Sequence, residues 1–198
     1  MSRICLLVTN LTSGRDAEAS SLTERSWTLA QSLVAQNNEV LILETSSVNL
    51  QQSTEASTYA QSHGISHRIL DHVSGQFTRP QLPAISGLRK GYKVASFLKT
   101  WNADSVWALG DVTPLAVVTA ARLCGLPWTP AHIGILFDYT RPHHRELNGY
   151  FPTLGREDIA SDYLEEQAFT YADTLVSTSK DGLSNSARLH YAVKHRTY

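Results

Sequence analysis

The densest chemistry in this sequence lies between Asp138 and Arg145, where a carboxylate, two guanidinium groups (Arg141, Arg145) and two imidazoles (His143, His144) fall within eight residues. Guanidinium and imidazole donors suit an anion or a sugar, and a carboxylate accepts hydrogen bonds from hydroxyl groups. Adjacent histidines rarely chelate one ion and no second acid–His motif stands nearby, so no metal site is expected here. A connection as long as Asp138–Arg156 is more often functional than filler, although a solvated loop is the competing reading.

Three shorter segments have weaker chemistry. Asn10, Thr12, Ser13, Gly14 and Arg15 follow the first apolar run; a glycine among small polar residues lets backbone N–H groups approach a phosphate. Neither the dinucleotide pattern G-x-G-x-x-G nor the P-loop pattern is present, and an ordinary glycine turn explains the segment equally well. In Gly110-Asp111-Val112-Thr113 the acid either binds a sugar hydroxyl or caps the next helix. Ser179, in Thr178-Ser179-Lys180-Asp181, is accounted for as a helix cap. The absence of G-x-S-x-G leaves a serine hydrolase unsupported.

These segments need a scaffold, and hydrophobic periodicity supplies one. The continuous apolar run Ile4–Val8 reads as a strand covered on both faces, and Val40–Leu43, Ser105–Leu109, Ile133–Phe137 and Thr174–Ser177 read as further strands, with a weak one at Ile65–Leu70. Between them, Trp27, Ala30 and Val34 recur at helical spacing, as do Leu88, Tyr92, Ala95 and Leu98. Helices are expected around Trp27–Val34, Thr54–Gln61, Ser86–Trp101, Leu115–Cys124, Asp158–Ala172 and Ser179–His190, with Asn37-Asn38 and Gly125 as stops. Strand–helix alternation of this kind predicts a Rossmann-like, doubly wound α/β fold, a parallel sheet with helices on both faces. In such sheets ligands sit at the carboxyl ends of the strands, where all four polar segments fall.

At 198 residues the chain is read as a single domain over 1–198. Hydrophobic residues make up 42%, enough for a real core and too many for a disordered chain. A net charge of −1 leaves no basic excess for nucleic acid, which excludes that class of partner. No apolar run is long enough to span a bilayer, and Met1–Thr9 reads as a strand rather than a secretion signal. Cys5 and Cys124, each in an apolar stretch, are expected to be reduced core residues of a cytoplasmic protein.

Four stretches resemble the N-terminal domain of retaining glycosyltransferases of the GT-B architecture, family 4 (glycosyltransferase group 1). Leu29–Leu43, with Asn37-Asn38-Glu39-Val40 in the turn, resembles the family's leucine-rich helix, G-H-E-V and strand. Tyr92-Lys93-Val94 through Trp107–Asp111 is similar to the helix followed by D-V-V-H-x-H-D. Ile133–Asn148 resembles a strand and loop reading T-H-G…H-R-E. Asp162–Glu165 through Ala172–Ser179 is similar to the more specific E-x-x-x-x-x-x-A-D-x-V-I-x-x-S stretch that closes that domain.

The resemblance implies an acceptor-binding half that is inactive alone, its partner being a C-terminal nucleotide-sugar domain absent from these 198 residues. It further implies a carbohydrate or other hydroxyl acceptor, a nucleotide sugar as donor, no metal and no other cofactor, and it allows peripheral membrane contact. Ser13, Gly14 and Arg15 would lie near the phosphate. Asp111, Arg141 and Arg145 would bind acceptor, and Asp138, His143 and His144 would be catalytic. Two departures bear on those roles: Gly110-Asp111 stands where the family often has His-Asp, and Phe137-Asp138-Tyr139 where it often has Thr-His-Gly. Either His143 or His144 substitutes, or the acceptor chemistry differs, or the activity is altered. The alternative is a stand-alone α/β small-molecule-binding module without catalysis; a small hydrolase or isomerase finds no nucleophile–base pair in the sequence.

Overall fold

The computed structural model describes residues 1–8, 11, 17–45, 50–70, 83–110, 112–137 and 156–177. Six strands form one sheet: β1 (Arg3–Val8), β2 (Glu39–Glu44), β3 (Ser66–Ile69), β4 (Ser105–Leu109), β5 (His132–Phe137) and β6 (Thr174–Ser177). Among the described residues five helices alternate with them: α1 (Ala17–Ala35), α2 (Leu50–Ser62), α3 (Pro83–Trp101), α4 (Leu115–Leu123) and α5 (Arg156–Tyr171). The strand order is β3-β2-β1-β4-β5-β6 and every pairing is parallel. This is the doubly wound, Rossmann-like α/β sheet that the alternation predicts.

Alternate side chains of each buried strand serve opposite faces. Cys5, Leu7, Leu41, Leu43, Val106, Ala108, Ile133 and Ile135 face α3, α4 and α5. Leu6, Val8, Val40, Ile42 and Leu109 face α1 and α2. The helix layer over β4 is set by two glycines. A β-carbon on Gly87 would stand 2.9 Å from the Thr113 hydroxyl, and one on Gly91 would stand 2.8 Å from the Pro114 carbonyl oxygen. Glycines four residues apart on one face of α3 therefore let the first turn of α4 approach its backbone.

Four helices stop in the same way. The amides of Asn38, Ile65, Ala103 and Leu126 each donate to the carbonyl five residues back: Leu33, Ala60, Leu98 and Ala121. The residue before each amide, Asn37, Gly64, Asn102 or Gly125, has φ between 54 and 72°. This is the left-handed closure that glycine and asparagine accept at least cost. It returns the chain quickly to the amino edge of the sheet. The longer connections, 9–16, 70–82 and 138–155, follow the carboxyl ends of β1, β3 and β5.

Several expectations need correction. Helix α1 begins ten residues before Trp27, and α2 and α3 also start earlier than read, α3 at Pro83. The first turns of α1 and α2 carry no apolar stripe to announce them, and Pro83 fits the first turn of α3. The α4 cap position falls on Pro114, with no side-chain cap bond, rather than on Asp111. Backbone bonds from Leu115 to Val112 and from Ala116 to Thr113 close that turn instead. Cys5 is buried, but Cys124 is exposed, because it sits at the C-cap of α4 where the helix leaves the sheet. The helix expected at Ser179–His190 lies outside the described residues.

Candidate functional site at the carboxyl edge

The strand order reverses between β1 and β4. The loops that leave a parallel sheet at such a point diverge to opposite faces and open a crevice. Val8, Leu109 and Leu136 are lateral partners across β1, β4 and β5, so the loops that follow these strands start side by side. Those loops contain all nine residues singled out from the sequence. Ser13, Gly14, Arg15, Asp111, Asp138, Arg141, His143, His144 and Arg145 themselves lie outside the described residues. What the structure brings together is the set of strand ends that carries them.

Two described backbone features shape this edge. Gly110 has φ of 109°, a conformation that side chains disfavour, and it turns the chain out of β4 directly before Asp111. Beyond it, Val112 is buried against the sheet. Leu11, also buried, is the one described residue between β1 and α1.

A buried polar chain lies beside them. Glu44 closes β2 and its side chain has no exposed surface. One oxygen, Oε1, accepts the Leu11 N–H at 3.3 Å, and Oε2 lies 3.2 Å from His67 Nε2 on β3. His67 Nδ1 is 2.9 Å from the Ser57 hydroxyl on α2. The neighbouring Thr45 hydroxyl is buried and makes no hydrogen bond. Sequence reasoning missed this group. One signal was available: an acid ending the otherwise apolar run Val40–Leu43, at the edge where ligands bind.

The opposite edge is built for stability. Asp173 Oδ2 accepts the Ile133 N–H at 2.8 Å, pairs with the Arg122 guanidinium and lies 4.0 Å from His132 Nδ1. Partial burial pushes its pKa up, but these donors and the positive charge of Arg122 outweigh that and hold it below the usual carboxylate value. The acid in the A-D-x-V stretch thus ties β6 to β5 and α4. Complete burial pushes the Cys5 thiol far above its ordinary pKa, which leaves it inert. A cavity of about 240 Å³ opens between α3, α4 and α5, edged by Leu88, Tyr92, Leu123 and Tyr163. Among the described residues no helix is long and apolar enough to cross a membrane.

No protein-family model and no curated protein matches this sequence. Solved structures do match in shape. A protein of Listeria monocytogenes named as a UDP-N-acetylglucosamine 2-epimerase aligns over 96% of this chain and 42% of its own, with 14% identity and a TM-score of 0.54. UGT2 of Phytolacca americana aligns over 93% of this chain and 48% of its own, with 13% identity and a TM-score of 0.53. A UDP-glucosyltransferase of Polygonum tinctorium that glucosylates indoxyl aligns over 93% and 47%, with 12% identity and a TM-score of 0.54. The likeness is one of fold. This chain spans a little under half the length of each of these proteins.

Proposed function

We propose that this chain is the acceptor-side half of a nucleotide-sugar-dependent glycosyltransferase, of the retaining type in family 4. The observation that carries the reading is the match in shape to slightly under half of proteins whose names include a UDP-glucosyltransferase, together with loops gathered at a strand-order reversal. In this reading 1–198 is one domain, a second domain holds the nucleotide sugar, and the sugar is transferred to an acceptor hydroxyl in the cleft between them. The isolated half is inactive, the protein is cytoplasmic, and neither metal nor a further cofactor takes part.

Each loop has a task that follows from its chemistry. Backbone donors around Ser13 and Gly14, with the Arg15 charge, face the leaving phosphate, where negative charge grows in the transition state. Asp111, Arg141 and Arg145 hold the acceptor's oxygens through charge-assisted hydrogen bonds. Asp138 accepts a hydrogen bond from the attacking hydroxyl and orients it, and His143 or His144 supplies the imidazole missing from the two usual family positions.

The test is transfer of sugar from a panel of UDP- and GDP-sugars to hydroxyl acceptors. It compares the 198-residue chain with the same chain joined to its nucleotide-sugar half. The expected result is turnover only in the joined form. Tight binding of a small molecule by the 198-residue chain, with no turnover in either form, would instead establish the stand-alone binding module.

A further inference from the structure

Leu11 is held from three directions. Its N–H donates to Glu44 Oε1, its carbonyl accepts from the Thr23 hydroxyl at 3.1 Å, and its side chain is buried in the α1–α2 face of the core. Thr23 belongs to α1 and Glu44 to β2, while His67 of β3 and Ser57 of α2 are linked to Leu11 through Glu44.

A carboxylate without exposed surface is costly. Its desolvation amounts to several kcal/mol unless partners satisfy both oxygens. An apolar side chain of similar volume would fill the end of β2 more cheaply. Glu44 directs one oxygen to the backbone of the β1–α1 connection and the other to an imidazole. The imidazole is itself fixed by a hydroxyl: with Nε2–H donating to Glu44, Nδ1 accepts from Ser57, so both carboxylate oxygens and both ring nitrogens have partners.

We infer that Glu44, oriented by His67 and Ser57, is a positioning residue that anchors the loop after β1 through the Leu11 amide. Ser13, Gly14 and Arg15 begin two residues beyond that anchor. Loss of that anchor is expected to weaken the phosphate role assigned to them. The phosphate role of that loop rests on the function proposed above; the anchor itself does not.

The experiment replaces Glu44 by leucine, which removes both acceptor oxygens while keeping apolar volume. It follows amide hydrogen exchange in the 198-residue chain and donor kinetics in the joined enzyme. Leu11 is expected to exchange at least tenfold faster, with Leu6 and Leu7 of β1 unchanged. The donor KM is expected to rise at least fivefold, more than kcat falls. Glu44→Gln keeps an acceptor for Leu11 and is expected to restore most of the protection. If Glu44→Leu does not fold, Glu44→Met carries the same comparison. Unchanged exchange at Leu11 would overturn the anchor, whatever the activity. Faster exchange with unaltered donor kinetics would overturn its role in the site. Absence of turnover in the unmutated joined enzyme would overturn the glycosyltransferase reading, and the exchange comparison would still decide the anchor.

Discussion

Trp107 on β4 and Gly134 on β5 are lateral partners, and the indole of Trp107 lies where a β-carbon on residue 134 would have to stand. The ring then reaches His132, with centroids 5.3 Å apart. Glycine weakens most strands, yet here it makes room for the largest side chain in the sheet. Gly134→Ala is expected to destabilise the fold by about 1–3 kcal/mol, the usual cost of overpacking a tight core. Urea denaturation checks this, and Gly134→Ala combined with Trp107→Leu should recover part of the loss.

The acid limb of stability should depend on Asp173. Its folded pKa lies below its ordinary value of 3.8. A depressed carboxylate contributes stability that is fully present above the unfolded pKa and is lost as pH falls through the folded one. Asp173→Asn should therefore lower the melting temperature near pH 6, and the difference from the unmutated chain should shrink as pH falls below about 4. Melting curves from pH 2 to 6 test the sign.

The two cysteines should separate cleanly in a labelling experiment. Cys124 is exposed at the end of α4, whereas Cys5 is sealed in the sheet with its thiol held protonated. A disulfide reagent should modify one thiol quickly in the native protein and the second only after denaturant is added. Mass spectrometry of the peptides identifies which is which.

Donor affinity tests the proposed division of labour. The 198-residue chain should bind UDP- and GDP-sugars weakly or not at all. A micromolar dissociation constant by calorimetry, about −8 kcal/mol, would place the donor site on this half and overturn the acceptor-side assignment.

In the joined enzyme, Asp138→Asn should lower turnover at least tenfold and leave the melting temperature almost unchanged, since asparagine supports the same turn but is a far weaker proton acceptor. Unaltered turnover at saturating substrates would remove Asp138 from the site.

The strands were legible because buried parallel strands are continuous apolar runs, such as Ile4–Val8 and Val40–Leu43, bounded by polar residues. Helix stops were legible where Asn37 and Gly125 could take positive φ. The Glu44–His67–Ser57 chain was not, because its members come from three elements and are joined only by the pairing of β2 with β3. Local pattern says nothing about that pairing. Cys124 misled because its apolar neighbours belong to a helix end, where the window mixes buried and exposed positions. The nine loop residues were chosen for their chemistry and for the edge to which their strands point. The described strands that lead into those loops end side by side at that edge, and the nine residues lie outside the described residues.

The shared closure at Asn37, Gly64, Asn102 and Gly125 makes the two ends of this scaffold unequal as places to accept new sequence. At the amino edge, one inserted residue would break a five-residue return and shift the strand that follows it out of register. At the carboxyl edge the connections after β1, β3 and β5 are already long, and lengthening them further costs little loop-closure entropy. Diversity in length should therefore collect on one side of the molecule. An engineer grafting a new recognition loop would do best after β3 or β5, and worst between α1 and β2.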